Sequence, residues 1–460
     1  MNSAHKLRRV PLAVLAGLIA HYIAFYILHS PLWTQTIGEW IMARTPSQYA
    51  VPLLATLGAW AKPFAMTGGL AALGFACSLA VLIHPIFGCA MAALLLGWAF
   101  NYWSLPGQLS FWIPATLVLL PKPIQTPNRR REFLAMLTGF AAVAIESYAR
   151  NRQLASRANA PVPLFPFQPP AETFGVGLVR KAITPLPEFY GMSKNSVDPV
   201  LDPLDWRLKV SVDGRITRQL SYTELLSLPR VERFVTLRCI SNTLQSDLMG
   251  TAAWSGFSLS QIVDRAQLPP ALVEVAVIGV DGHGDSFPLD YAFSEELLFA
   301  LGMDGKTLDR IHGFPIRLLS PRYYGFKNVK WIGEIAFVSQ PYAGTWPKLG
   351  YTKQPLIHTA SHIDRVRPDN GLLRVGGVSF AGIRGIQKVE LRADDGPWHE
   401  ATLEKPLSPY TWTRWIATLP VAQAELVEAR ALDGQGHWQE SAEGALFPDG
   451  VAGPTRRRLN

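Results

Sequence analysis

Apolar residues are distributed very unevenly along this chain. Pro11–Leu28 is an uncharged apolar run preceded by Lys6, Arg8 and Arg9, and Pro63–Pro121 contains no Asp, Glu, Lys or Arg. A bilayer crossing takes about twenty such residues. The pattern therefore predicts a first span at Pro11–Leu28 and further spans near 64–84, 86–103 and 106–121, broken at His84-Pro85 and Ser104-Leu105-Pro106-Gly107. A cleaved signal peptide is the rival reading of the first run. The later hydrophobic segments, and the lack of a small-residue cleavage site after the run, weigh against it. Four crossings return the chain to the side where it began. Lys122, Arg129, Arg130 and Arg131 follow there, as the positive-inside rule expects.

Beyond residue 150 the periodicity changes. Ala160–Pro170 holds five prolines in eleven residues and predicts a stiff extended tether. Strands are predicted at Trp206–Val212, Phe234–Ile240, Val273–Val280, Ile316–Leu319 and Ile332–Val338, and short helices at Tyr222–Leu228, Leu259–Ala266 and Ser294–Leu301. From about residue 355 alternating runs at Val378–Phe380, Lys388–Arg392, Trp398–Thr402, Trp412–Leu419 and Glu425–Ala431 are separated by Asp-Asp-Gly and Asp-Gly-Gln-Gly turns. These predict a β-sandwich of about one hundred residues. The expected organisation is a transmembrane region at 1–149, a linker at 150–172, a mixed α+β domain at 173–350, a sandwich at 351–446 and a basic tail at 447–460.

Composition sharpens the picture. Hydrophobic residues make up 48% of the chain and charged residues 17%, with a net charge of +8. The cations cluster beside apolar runs rather than in a stripe interleaved with aromatics, so nucleic acid is not an expected partner and membrane lipid is. Of the three cysteines, Cys77, Cys89 and Cys239, only the last follows residue 150. That excludes a disulfide framework and a four-cysteine zinc or iron–sulfur site in the later part. His21, His29 and His84 are the histidines in the apolar region that facing helices would need to hold a haem, but His29 and His84 fall near span ends.

Two stretches carry candidate chemistry. Phe234–Asn242 is a strand ending in Cys239, and a strand end can present a thiolate to a soft metal. His312–Trp331 is a strand followed by a Gly-containing turn, with Arg317, Arg322, Lys327 and Lys330 spread over fourteen residues. Such a turn offers N–H and cationic donors to a phosphate. Each taken singly has a plainer reading, a buried cysteine or a solvated basic turn.

In combination these stretches resemble the sulfite oxidase superfamily over roughly residues 185–445. The leading segment (Glu188-Phe189-Tyr190, Ser193-Lys194-Asn195, Asp198-Pro199, Trp206-Arg207-Leu208) is similar to its opening. Arg238-Cys239-Ile240-Ser241-Asn242 with Trp254-Ser255-Gly256 resembles its metal-ligand motif. Asp281-Gly282, Asp285-Ser286-Phe287 and the block from His312 to Trp331 resemble its pterin-binding motifs, and Phe380–Gly396 resembles its immunoglobulin-like dimerisation domain. To the N-terminal transmembrane helices that the apolar runs predict, the resemblance adds an α+β sulfite-oxidase-like molybdopterin domain and an immunoglobulin-like sandwich. It implies a molybdenum–molybdopterin cofactor with Cys239 as metal ligand. Ser193, Lys194, Asn195, His312, Arg317, Asn328, Val329 and Lys330 are implied at the pterin and its phosphate, and Arg322 and Tyr323, with Tyr324, at the substrate. It implies two-electron oxygen-atom transfer on a small substrate, and a homodimer. With no haem or iron–sulfur motif in the sequence, a separate cytochrome or quinone-linked protein is the expected electron partner.

Two departures bear on that expectation. Sulfite oxidases carry arginines shortly after the ligand cysteine, whereas Ile-Ser-Asn-Thr-Leu-Gln follows Cys239 here. The membrane helices are also fused to the enzyme. Arg130-Arg131-Glu132-Phe133-Leu134 ahead of the apolar stretch Ala135–Ile145 is similar to a twin-arginine export signal; a basic cap before a fifth short helix is the other reading. Both put the catalytic part on the periplasmic side of a bacterial inner membrane, while Arg150, Arg152 and Arg157 argue against it. The alternative function is a tethered non-catalytic binding module with a vestigial pterin site.

Overall fold

Arg207–Val212 turns Arg207 and Lys209 outward and buries Leu208 and Val210, the alternation of a half-buried strand, and forms β1. Asp213 and Gly214, both at positive φ, reverse the chain into β2 (Arg215–Ser221). Ser221 then caps the short helix α1 (Tyr222–Leu226), and Glu224 reaches back to close a capping box. The structure is a computed structural model and describes residues 162–195 and 198–459. The predicted spans, the arginine-pair segment and His21, His29 and His84 lie outside the described residues. Among the described residues no helix is long and apolar enough to cross a membrane. The chain divides into two units, Met1–Ser156 and Arg157–Asn460, and the described residues belong to the second.

The strands that follow are β3 (Val231–Arg238), β4 (Met249–Phe257), β5 (Glu274–Gly279) and β6 (Gly284–Pro288). After the short helix α2 (Leu289–Ala292) come β7 (Leu298–Met303), β8 (Lys306–Thr307), β9 (Arg317–Leu319) and β10 (Ile332–Val338). One sheet has the order β2-β1-β10-β5-β6, with β1 and β10 parallel. The other runs β3-β4-β7-β8, with β9 added to β7. Trp254, Phe257, Val275, Phe299, Leu318 and Phe337, all fully buried, belong to the single core these elements share. Every residue of β4 is buried, which makes it the spine of its sheet.

The C-terminal part is two four-stranded sheets around a second core. β11 (Ala360–Asp369), β12 (Leu372–Phe380), β16 (Thr413–Leu419) and β15 (Thr402–Leu403) form one; β14 (His399–Glu400), β13 (Ile386–Ala393), β17 (Leu426–Asp433) and β18 (Thr455–Arg458) form the other. Leu391, Trp415 and Val427 lie at zero exposure in that core.

The structure corrects four expectations. Ser294–Leu301 is not a helix. From Leu298 it is β7, buried at every position because it lies between β4 and β9; a short apolar run does not distinguish helix from strand by periodicity. Leu259–Ala266 yields only two 3-10 turns, Leu259–Gln261 and Arg265–Gln267, and Asp264 caps the second. The proline-rich segment is docked from Val162 onward: Leu164 donates to the Gly305 carbonyl at 2.8 Å, Thr307 donates to the Val162 carbonyl at 2.9 Å, and Phe165 is buried. Pairing with the β7–β8 hairpin satisfies its backbone. The expected basic tail supplies β18, which pairs with β17 from Thr455 to Arg458.

Candidate active site

β3 delivers Cys239 to a tight loop. The Cys239 N–H donates to Leu248 O at 2.9 Å and its carbonyl accepts from Asn242 N at 3.1 Å. The Asn242 side-chain carbonyl accepts from Ser246 Oγ and Leu248 N, each at 2.8 Å, so the loop is fastened from inside. The thiol is buried, and burial pushes its pKa up. A metal bound there must therefore displace a proton.

The cationic turn sits directly on this cysteine. A Cβ added at Gly325 would come within 2.9 Å of the Tyr190 hydroxyl, 3.2 Å of the Arg238 carbonyl and 3.5 Å of Cys239 Cα. Only glycine lets the two backbones approach so closely. Burial raises the Tyr190 phenol, and the neighbouring Cys239 thiol raises it further.

A second glycine gathers the cations. Gly313 has φ +105°, and a Cβ there would lie 3.0 Å from Lys330 Cβ and 3.1 Å from Arg317 Cβ. His312 Nδ1 donates to Asp309 Oδ1 at 2.7 Å, and the ring stands edge-on to Phe189. Arg317 is buried over the Trp254 ring, and burial brings its pKa down to about 10. Burial, and after it the Arg317 charge, lowers Lys330 to about 8; its ammonium donates to Ile311 O at 2.8 Å.

The leading segment completes the cradle through the β5–β6 turn. Asn195 Nδ2 donates to Asp281 Oδ2 at 2.8 Å, Lys194 Nζ donates to Asp281 O at 3.0 Å, and Ser193 Oγ accepts from Asn195 N at 3.0 Å. Val280 N donates to Trp331 O at 2.9 Å, which seats that turn beside Lys330. The sequence-predicted residues Ser193, Lys194, Asn195, Cys239, His312, Arg317 and Lys330 thus surround one region. Asn328 is occupied differently: its Oδ1 accepts from Ser320 N at 2.6 Å and its Nδ2 donates to Tyr324 O at 3.2 Å, while Val329 O accepts from Leu318 N at 2.8 Å. These two shape the turn. Arg322 makes a two-pronged ion pair with Glu296 at 2.6 and 3.0 Å over Tyr291, and Tyr323 is buried against Phe287 and Tyr291. The structure commits both to packing partners beside β7 rather than to the Cys239 turn.

The sequence pattern passed over Asp309 and His283, and it read Lys327 as a phosphate donor, which the structure corrects. Asp309 orients His312, and its signal was the i, i+3 spacing. The Lys327 side chain is sealed under the turn, with Nζ donating to Asp285 Oδ1 at 2.7 Å, Ser286 O at 2.8 Å and Lys353 O at 2.9 Å. His283 is buried in the β5–β6 turn and carried no sequence signal beyond its place between Asp281 and Asp285.

This set fits an anionic heteroaromatic cofactor. Arg310 Nε, His312 Nε2, Arg317 Nε and His283 Nδ1 are buried polar atoms with no hydrogen-bond partner in the protein. Buried polar groups ordinarily find partners, so these wait for an incoming group. Among the described residues no three His, Cys, Asp or Glu side chains are placed to hold a metal ion. Cys239 would hold a metal there as a thiolate, beside ligands that the cofactor would supply.

Residues 195–346 match the family described as the oxidoreductase molybdopterin binding domain, whose cofactor is molybdenum–molybdopterin. The chain is similar to members of the sulfite oxidase superfamily. It is 29% identical to mitochondrial sulfite oxidase of Homo sapiens over 324 residues, 58% of each chain, and 25% identical to sulfite oxidase of Arabidopsis thaliana over 351 residues, 61% of this chain and 88% of that one. This chain spans less than two thirds of the mammalian relatives it matches, 58% to 62%. The crystal structure of the sulfane dehydrogenase SoxCD from Paracoccus pantotrophus is similar over 52% of this chain and 70% of that one, at 21% identity and a TM-score of 0.47.

Proposed function

We propose that this protein is a membrane-anchored molybdenum-cofactor oxidoreductase that moves an oxygen atom, with two electrons, to or from a small substrate. The observation that carries the reading is Cys239: a buried thiol at a strand end, under a glycine turn, with unpartnered buried donors in the same cradle. When bound, the cofactor supplies the redox chemistry. The chain supplies the rest. Cys239 ligates the metal as thiolate. Arg317, Lys330 and His312 hold the phosphate, and Ser193, Lys194 and Asn195 hold the pterin against the Asp281 turn. Burial of the Cys239 region excludes water.

No cation follows Cys239 in its loop, and Lys194 and Arg322 are each matched by a carboxylate, Asp281 and Glu296. That charge balance supports a substrate less anionic than the oxyanion a cationic pocket would select. The apolar first 121 residues support the anchor, and the arginine pair supports placement of the catalytic domain on the periplasmic side. The lack of any haem or iron–sulfur motif supports a separate cytochrome or quinone-linked electron partner. The two-sheet C-terminal domain supports an immunoglobulin-like, dimer-forming role.

The deciding experiment is molybdenum analysis of the detergent-purified full chain beside Cys239→Ala. About one molybdenum per wild-type chain, lost or spectroscopically altered in the variant, is the expected result. Folded, metal-free wild type from molybdate-fed cells would reverse the proposal in favour of a tethered binding module.

A further inference from the structure

His283 lies in the turn between β5 and β6, and burial lowers its pKa. Its Nε2 is 2.8 Å from the carbonyl oxygen of Phe326, the residue after Gly325 in the turn on Cys239. A carbonyl oxygen only accepts, so Nε2 carries the hydrogen. A neutral imidazole with Nε2–H has a bare lone pair on Nδ1. That Nδ1 is buried and without a partner in the protein. The groups acting on the ring are the carboxylates of Asp281, on its own turn, and Asp285, on β6, and the ammonium of Lys194, from the leading segment. The Asp281 carboxylate is engaged by the backbone N–H of His283 at 3.0 Å and by Asn195. Lys194 is held by the carbonyl of Asp281.

The site so far described is rich in donors for an anion. His283 is of the opposite kind: a fixed, neutral acceptor buried among them. We infer that His283 is a further binding residue of this site, whose Nδ1 accepts a hydrogen bond from an N–H or O–H brought by the bound group. The donor is either a ring N–H of the pterin or an O–H at the substrate position. Both satisfy the same lone pair, and a purely anionic ligand satisfies neither. The inference rests on the cofactor reading above and assigns a residue which that reading does not use.

Two substitutions separate this role from a structural one, because amides mimic the two ring nitrogens differently. His283→Gln can keep a donor near Nε2 for Phe326 O and loses the acceptor. His283→Asn can keep an acceptor near Nδ1 and loses the bond to Phe326. Molybdenum and pterin per chain would be measured on purified full-length wild type and both variants, fresh and after prolonged dilution, with thermal unfolding as the fold check and the Mo(V) EPR spectrum as a second readout. A neutral hydrogen bond corresponds to roughly a tenfold change. Roughly tenfold faster cofactor loss in the Gln variant, rescued in Asn, is expected if the pterin is the donor. Retained cofactor with an altered Mo(V) spectrum in Gln, again rescued in Asn, is expected if the donor sits at the substrate position. A Gln variant identical to loaded wild type in content and spectrum would overturn the inference alone. A wild type without molybdenum or pterin would overturn the cofactor reading itself, and the role of His283 with it.

Discussion

Lys327 Nζ lies 2.7 Å from Asp285 Oδ1, and neither side chain has more than 1% of its surface exposed. The pair ties the Cys239-seated turn to β6 from below, and the carbonyls of Ser286 and Lys353 accept the other ammonium hydrogens. Removing one member of a buried ion pair strands the other charge, at about 3–5 kcal/mol. Lys327→Met should therefore lower unfolding stability by that order in denaturant titration, and Lys327→Met combined with Asp285→Leu should recover part of it. A single variant within about 1 kcal/mol of wild type would show that the pair does not hold the turn.

Asp304 gives stability a pH dependence. It occupies the β7–β8 turn at φ +48°, its Oδ1 accepts from Ala253 N at 2.9 Å, and burial raises its pKa from 3.8 to about 6. The folded state thus holds its proton more tightly than the unfolded chain. The contribution is full below pH 4 and fades as pH rises through 6, with a slope of at most about 1.4 kcal/mol per pH unit. Asp304→Asn keeps the acceptor and tolerates the positive φ. In thermal melts from pH 4 to 7 the variant should lose that downward slope; a slope equal to wild type would assign it elsewhere.

Arg180 latches the loop after Cys239. It donates to Asp364 Oδ1 at 2.7 Å and Asp247 Oδ1 at 3.2 Å and lies over Trp412. Asp247 belongs to the 240–248 loop, and Asp364 to β11. Arg180→Ala should raise amide exchange across residues 241–248 several-fold while β4 stays protected. Unchanged exchange would mean that the internal bonds of Asn242 suffice.

Arg322 offers a contrast with the cradle cations. Its guanidinium is taken by Glu296, so Arg322→Ala should leave the molybdenum content of purified protein unchanged, whereas Arg317→Ala should lower it markedly. Equal losses in the two variants would return Arg322 to the cofactor site.

Much of this was legible in the residues. β1 and β13 announce themselves by alternation, β5 and β10 by short apolar runs, and the cysteine, the glycine turn and the cations of 312–331 mark the site. The illegible parts have physical reasons. β7 is buried along its length and so shows no alternation. The docking of Leu164 depends on a hairpin 141 residues downstream, counted from 164 to 305. Whether Arg322 faces a ligand or Glu296 is a property of tertiary placement. His283 becomes informative only when the Phe326 carbonyl fixes its tautomer, a contact 43 residues away in sequence.

The bond from Gln245 Nε2 to the carbonyl of Arg456 spans 211 residues, and Asp247 reaches His362 at 3.5 Å. In order of synthesis, the loop after Cys239 emerges early and gains its most distant contacts late. Until β11 and β18 have been made, the loop has only its internal bonds and its tie to Arg180. Those far-reaching ties are complete only once the C-terminal sheets are in place.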